Sequence, residues 1–89
     1  MTTIFSIEDE EALVSLLEYN IQSAGYKFQH SPNGYDGMMK LQKSKPDLIL
    51  LDWMLPDISG TEVCKFVRSH KDLKSTPIIM LTAKGEEQD

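Results

Sequence analysis

The stretch LILLDWMLPDISG, residues 48–60, contains an uninterrupted apolar run that ends at Asp52. A strand with one face in water would alternate apolar and polar residues, so the run Leu48–Leu51 predicts a strand that is buried on both faces. Pro56 and Gly60 follow the carboxylate and are typical of a loop. The stretch therefore predicts a buried strand that ends in an acid, and that acid needs a chemical explanation.

Length and composition are typical of one small globular domain. The chain has 89 residues, of which 40% are hydrophobic and 26% are charged, and these values argue against disorder. The formal net charge of -5 argues against nucleic acid as a direct partner. Cys64 is the single cysteine, which excludes a disulfide framework and a thiolate metal cluster and fits a reducing cytoplasm. No apolar run approaches ~18 residues and the start lacks a basic region, so we expect neither a membrane span nor a signal peptide.

Strand and helix patterns alternate along the chain. Short apolar runs predict strands at residues 4–7, 26–30, 48–52 and 78–81, and helical spacing predicts helices at residues 11–24, from Asn33 to a point before Pro46, and from about Gly60 to His70. Another helix is expected to open at residues 85–87. The apolar helix positions are Leu13, Leu16, Leu17, Ile21 and Ala24, then Tyr35, Met38 and Leu41, then Val63, Phe66 and Val67.

This alternation predicts an α/β fold with a parallel sheet and helices on both faces. Ligands of such sheets bind beyond the carboxyl ends of the strands, where the strand order reverses. The first strand ends in Glu8 and Asp9, the third in Asp52 and the fourth in Thr82. We therefore expect these four side chains to converge at one edge of the sheet.

Converging carboxylates are expected to attract a cation or a proton. Two carboxylates ~4 Å apart repel each other by ~1 kcal/mol in water and by ~4 kcal/mol at an effective dielectric constant near 20. Oxygen ligands without nearby histidine or cysteine favour a hard ion. Mg2+ fits best, because it keeps water ligands and shares its coordination shell with phosphate.

Three motifs resemble those of a known family. The segments IEDE, PDLILLDWMLPDISG and PIIMLTAKGEE make the chain similar to the receiver domain of two-component response regulators, of the transcriptional branch and most like the phosphate-regulon regulators. The resemblance covers essentially all 89 residues. It implies a flavodoxin-like, doubly wound sheet of strand order 2-1-3-4, normally followed by a fifth strand.

The resemblance also implies roles for individual residues. Asp52 matches the phosphoacceptor, which attacks the phosphohistidine of a sensor histidine kinase and holds the phosphoryl group as an acyl phosphate. Asp9 matches the principal ligand of Mg2+, joined by Asp52 and the backbone carbonyl of Met54. Glu8 matches the second acidic position, which acts through a water or by adjusting the charge of the cluster.

Further positions follow the family pattern around the phosphoacceptor. Thr82 matches the hydroxyl that meets a phosphoryl oxygen, and Ala83 matches the small residue that leaves the pocket open. Pro56 and Gly60 are expected to shape the loop, and Trp53 to offer its backbone N–H to the phosphoryl group. His30 and His70 are expected to be surface residues outside the acidic pocket.

The chain departs from the family in its extent. A complete receiver continues through a fourth helix, a fifth strand that supplies a lysine and an aromatic residue, and a fifth helix. We therefore expect residues 1–89 to form a partial receiver domain, without these elements and without a DNA-binding domain. The fourth strand would then be an unprotected apolar edge, so a homodimer or an exchanged assembly through that edge is expected.

Other classes of protein fit the sequence less well. A dehalogenase-type phosphatase needs a second Asp where this chain has Met54, and a P-loop hydrolase needs a glycine-lysine loop where it has residues 8–11, which are all acidic. A flavin-binding flavodoxin needs a hydroxyl-rich loop there. We therefore expect a cytoplasmic phosphoacceptor domain that is not a turnover enzyme. The open alternative is a non-enzymatic assembly or decoy module.

Overall fold

The computed structural model of the chain describes residues 1–81. Its elements alternate along the chain as β1 (Thr3–Ile7), α1 (Glu11–Ser23), β2 (Lys27–Ser31), α2 (Gly34–Ser44), β3 (Leu48–Leu51), α3 (Gly60–Ser69) and β4 (Ile78–Met80). The predicted alternation is confirmed, with boundaries that differ by one or two residues. The helix opening predicted at residues 85–87 lies outside the described residues. Within residues 1–81, every helix is too short or too polar to cross a bilayer.

The four strands form one parallel sheet of order β2-β1-β3-β4. This is the flavodoxin-like order that the family resemblance implied. The crossover from β1 to β2 runs in one direction across the sheet, and the crossover from β2 to β3 runs in the other. Because such crossovers are right-handed, α1 and α2 lie on opposite faces. The prediction of helices on both faces is therefore confirmed.

The core lies between the sheet and the pair α2 and α3. Alternate residues of β1 and β3 point to this side and meet apolar side chains of both helices and of the segment after α3. The fully buried members are Phe5, Ile7, Leu41, Ile49, Leu51, Val63, Val67 and Leu73. In β3, Ile49, Leu50 and Leu51 are buried as predicted and Leu48 is half-buried, so Asp52 follows the buried end of an inner strand.

Helix α2 begins where the sequence predicted and packs closely against the sheet. The Asn33 side chain accepts a hydrogen bond from the Asp36 N–H at 2.8 Å, so Asn33 is the N-terminal cap. At Gly37 a β-carbon would lie 2.5 Å from a side-chain carbon of Ile7. The side of α2 that is buried carries Gly34, Gly37 and Leu41, whereas Tyr35 is exposed.

The opposite face of the sheet is covered less completely by the described residues. None of the side chains of α1 is fully buried by residues 1–81, and Leu16 is exposed. Strand β4 pairs with β3 on one side, and Ile79 is 51% exposed. Within residues 1–81, β4 is an edge of the sheet, as the sequence predicted.

Candidate functional site

The parallel register of β1 and β3 brings two acids side by side. Ile7 pairs with Leu51 at the carboxyl ends of the two strands, so the next residues, Glu8 and Asp52, leave the sheet together. The Asp52 N–H donates to the Ile7 carbonyl at 3.0 Å, which continues the sheet pairing to the acid itself. Glu8 is only 2% exposed and Asp52 only 5% exposed. Two carboxylates are therefore held in a largely water-excluded position.

Asp9 completes a cluster of three carboxylates. Glu8, Asp9 and Asp52 each offer one oxygen, and these oxygens lie within 4.8 Å of one another. Asp9 is exposed, whereas the other two acids are buried. The predicted convergence of these acids is confirmed, and the cluster has an open side through which a solvated ion can enter.

This arrangement disfavours the ionised form of the Glu8 carboxyl group. Burial raises the pKa of Glu8 above its ordinary value of 4.5, and the negative charges of Asp52 and Asp9 raise it further. The hydrogen bond that Glu8 Oε2 accepts from the Glu10 N–H at 3.0 Å acts in the opposite direction. Glu8 Oε1 is buried and has no hydrogen-bond partner within residues 1–81. A buried carboxylate oxygen with no donor calls for a cation or a proton.

The loop after Asp52 folds back onto the acid. Asp52 Oδ1 accepts a hydrogen bond from the Met54 N–H at 3.2 Å, which orients the carboxylate. Met54 forms an isolated antiparallel β-bridge with Ser59. The Gly60 N–H donates to the Trp53 carbonyl at 2.8 Å. Gly60 is buried at the start of α3, where its lack of a side chain lets the loop close.

Asp57 anchors this loop to helix α2, a contact that the sequence analysis missed. Its carboxylate accepts hydrogen bonds from the Gly34 and Tyr35 N–H groups at 2.8 Å and from the Ile58 N–H at 2.9 Å. Partial burial alone would raise the pKa of Asp57, but these backbone donors outweigh it and hold the pKa below the ordinary 3.8. A carboxylate at a helix N-terminus is favoured by the free N–H groups there. Asp57 therefore fixes the loop after Asp52 to the N-terminus of α2.

The structure corrects the expectation for His30 and the surface exposure expected for His70. His30 Nε2 lies 2.9 Å from the backbone oxygen of Glu8, so His30 borders the acidic cluster and is not a surface residue outside it. It comes close because β2 lies directly beside β1 and runs parallel to it. His70 is half-buried, because its ring packs against Phe66 with ring centroids 5.7 Å apart.

Four further residues were expected at the site, namely Trp53, Met54, Thr82 and Ala83. Trp53 and Met54 lie directly after Asp52 in the loop, and the roles of the Trp53 N–H and the Met54 carbonyl stay predictions. Thr82 and Ala83 lie outside the described residues.

Comparison with known proteins gives one family. The profile described as "Response regulator receiver domain" matches residues 4–89. The phosphate regulon transcriptional regulatory protein PhoB of Rhizobium meliloti is 46% identical over 83 residues, which are 93% of this chain and 37% of that protein. The alkaline phosphatase synthesis transcriptional regulatory protein PhoP of Bacillus subtilis is 46% identical over 86 residues, 97% of this chain and 35% of that protein. The chain thus spans little more than a third of the length of these relatives.

A solved structure adds a likeness in three dimensions. The crystal structure of the histidine kinase ThkA in complex with the response regulator protein TrrA contains a chain that superimposes with a TM-score of 0.84 at 36% identity. The match covers 93% of this chain and 70% of that chain. The fold, the acidic edge and the sequence therefore lead to the same family.

Proposed function

The chain belongs to the response regulator receiver domain family, a family of signalling modules, and on that premise we propose that Asp52 accepts a phosphoryl group from a sensor histidine kinase. The observation that carries the proposal is the position of Asp52, buried at the carboxyl end of an inner strand and within 4.8 Å of two further acids. That edge of a doubly wound sheet is where such folds bind their ligands.

The proposed step is a displacement at phosphorus. One oxygen of the Asp52 carboxylate attacks the phosphorus of a phosphohistidine, a new P–O bond forms, and the P–N bond breaks with its electron pair returning to the imidazole. The product is an acyl phosphate on Asp52. The Met54 N–H, which donates to Asp52 Oδ1, helps to fix the direction of the carboxylate for this attack.

Mg2+ is the proposed cofactor, held by Asp9, Asp52 and the Met54 carbonyl, with Glu8 as the second acidic residue. The donor set is made of oxygen atoms, and the buried Glu8 Oε1 lacks a partner within the described chain, so the residues fit a hard cation. When bound, Mg2+ reduces the repulsion between the carboxylates and a phosphoryl group. Glu8 and Asp9 bring the negative charge that attracts the ion.

Three further residues complete the proposed site. The Trp53 N–H is suited to donate to a phosphoryl oxygen, because Trp53 follows Asp52 directly in the loop. Thr82 and Ala83 are proposed as the switching hydroxyl and the small residue beside it. Their support is the motif alone, since both lie outside the described residues.

The proposed biological setting is a two-component system in the cytoplasm that regulates transcription. PhoB and PhoP are transcriptional regulatory proteins by name, and the TrrA structure contains a histidine kinase. We infer that a kinase donates the phosphoryl group and that residues 1–89 form the phosphoacceptor domain, which is not a turnover enzyme. An output domain would then respond to the phosphorylated state.

A homodimer through the edge of β4 is a second proposed interaction. Ile79 is half-exposed, and within residues 1–81 the outer backbone groups of β4 have no strand beside them. Pairing of two β4 strands across a two-fold axis would satisfy these groups with less rearrangement than an exchange of elements between protomers. A purely structural assembly module is the less favoured interpretation, because it leaves the buried acids without a role.

Acetyl phosphate, a small phosphoryl donor, tests the proposed function. We expect intact-mass spectrometry to find one phosphoryl group per chain in the presence of Mg2+, and far less after chelation with EDTA. The Asp52→Asn variant should stay unmodified, and Asp57→Asn, which alters an acid in the same loop, should still be labelled. Equal labelling of the parent and Asp52→Asn, or no labelling of either, would contradict the proposal.

A further inference from the structure

His30 lies at the point where the edge strand β2 reaches the acidic cluster. Its Nε2 is 2.9 Å from the backbone oxygen of Glu8. A carbonyl oxygen only accepts hydrogen bonds, so Nε2 must carry the proton and donate it. His30 is thus the donor of a side-chain hydrogen bond to the main chain of a site residue.

This bond closes a backbone clamp around Glu8. Glu8 is the first residue after β1, and its N–H still donates to the Ser31 carbonyl at 3.0 Å. The Glu8 carbonyl, beyond the regular pairing of β1 with β2, accepts from the His30 ring instead. Both backbone polar groups of Glu8 are therefore tied to β2. Fixing the two peptide planes that flank a residue fixes the direction of its Cα–Cβ bond.

The imidazole ring that closes the clamp is itself held in place. His30 and Phe28 are two residues apart on β2, so their side chains share one face of the sheet. Their rings are stacked, with centroids 6.5 Å apart and planes inclined by 6°. The ring also lines a cleft of about 320 Å³ together with Glu8 and Asp9. The bond to Glu8 is consequently made by a half-buried ring that stacks on Phe28.

We propose that His30 is a positioning residue of the acidic site: by holding the Glu8 peptide, it directs the Glu8 carboxylate towards Asp9 and Asp52 and so sets the affinity of the cluster for a divalent cation. This inference rests on the proposed function, because it presumes that the cluster binds Mg2+. Residues that orient metal-binding groups through hydrogen bonds typically change metal affinity about 10- to 100-fold when they are replaced.

The test is a Mg2+ titration of the 89-residue chain, followed by the fluorescence of Trp53. His30→Phe keeps an aromatic ring for the stack with Phe28 but removes the donor, and we expect it to weaken Mg2+ binding about 10-fold or more. His30→Gln keeps an N–H donor and should bind Mg2+ more tightly than His30→Phe. Gln29→Ala is the matched control, because Gln29 is the neighbouring residue of β2 and bonds to Ser44 instead of the site. It should bind as the parent does.

Two comparisons separate this inference from the proposed function. Asp9→Asn should weaken Mg2+ binding whether or not His30 has a role. If the parent itself shows no saturable Mg2+ binding, the cation site is wrong and this inference fails with it. If Asp9→Asn weakens binding but His30→Phe does not, His30 has no positioning role and the proposed function stands. Amide hydrogen exchange of the metal-free protein gives a second measurement. Exchange at Glu8 should be faster in His30→Phe than in the parent and in Gln29→Ala, and equal rates in all three proteins would overturn the clamp.

Discussion

Gly60 approaches Asp52 so closely that a β-carbon on Gly60 would lie 2.5 Å from the backbone oxygen of Asp52. The same added atom would lie 3.0 Å from the backbone oxygen of Trp53. Both neighbours are main-chain atoms, which cannot rotate away as the end of a long side chain can. The loop from Asp52 to Gly60 therefore closes only with glycine at its end, and that closure fixes the peptide that follows the proposed phosphoacceptor.

Replacing Gly60 should therefore damage both stability and the site. Overpacking typically costs about 1–3 kcal/mol, whereas alanine gains at most about 1 kcal/mol over glycine within a helix. We expect Gly60→Ala to lower the free energy of unfolding by about 1 kcal/mol or more in urea denaturation, and to weaken Mg2+ binding. Thr61→Ala, at an exposed position one residue later, should change stability by no more than about 0.5 kcal/mol. A parental unfolding midpoint for Gly60→Ala would contradict this account of the loop.

Asp57 should stabilise the fold through the N-terminus of α2. Removing a side chain that satisfies N-terminal N–H groups costs about 0.5–2 kcal/mol, so Asp57→Ala should be less stable than the parent by that amount at neutral pH. The pKa of Asp57 lies below its ordinary 3.8 in the folded protein. The charge therefore contributes stability above pH 3.8, and this contribution is lost as the pH falls through the lower folded pKa.

Asp57→Asn isolates the part of this effect that depends on charge. It keeps an acceptor oxygen but has no titrating carboxyl group, so its stability should fall less steeply than that of the parent as the pH is lowered from 3.8 through the folded pKa of Asp57. Denaturant titrations at a series of pH values measure the difference. Parallel pH profiles for the two proteins would show that the charge of Asp57 is not what holds the loop.

The charge of Glu8 should lower the stability of the metal-free protein and strengthen its binding of Mg2+. In the metal-free protein its buried charge faces those of Asp9 and Asp52, and two carboxylates ~4 Å apart repel by ~1–4 kcal/mol, depending on the effective dielectric constant. Glu8→Gln removes that charge with little change of shape. We expect it to unfold at a higher urea concentration than the parent in EDTA, and to bind Mg2+ more weakly. A variant that is both less stable without metal and equal to the parent in Mg2+ affinity would contradict the role assigned to Glu8.

The edge of β4 should promote association between copies of the chain. Sedimentation across a concentration series should show a dimer that becomes a monomer on dilution, and Ile79→Lys should shift the protein towards the monomer, because a charge on an edge strand opposes pairing. Met39→Lys is the control, since it adds the same charge to an exposed methionine of α2. Dimerisation that Ile79→Lys leaves unchanged would mean that another surface forms the contact.

The sequence predicted the parts of this protein that depend on local pattern. The apolar run of β3, the cap at Asn33 and the spacing of Val63 and Val67 each identify an element from its own residues. The meeting of Glu8, Asp9 and Asp52 could also be predicted, because carboxyl ends of parallel strands share one edge of the sheet. The strand order came from the family resemblance and not from the pattern.

The contacts that the sequence did not predict join residues far apart in the chain. His30 reaches Glu8 across 22 positions, and Asp57 reaches Gly34 across 23. Each looks like an ordinary polar residue at the end of a strand or in a loop, and its partner is a backbone group, which has no signature in the sequence. The close approach of α2 at Gly37 is of the same kind, because it depends on the contact with Ile7.

The measurement that tests the central claim most directly is the chemical location of the phosphoryl group. After treatment with acetyl phosphate and Mg2+, reduction with borohydride converts an aspartyl phosphate into homoserine: a first hydride displaces phosphate from the acyl carbon, and a second hydride with a proton reduces the resulting aldehyde to the alcohol. Tandem mass spectrometry of the resulting peptides should then find homoserine at position 52 and aspartate at positions 9, 47 and 57. Homoserine at any of those three other positions, or unchanged aspartate at position 52 in a protein that has gained phosphate, would contradict the assignment of Asp52 as the phosphoacceptor.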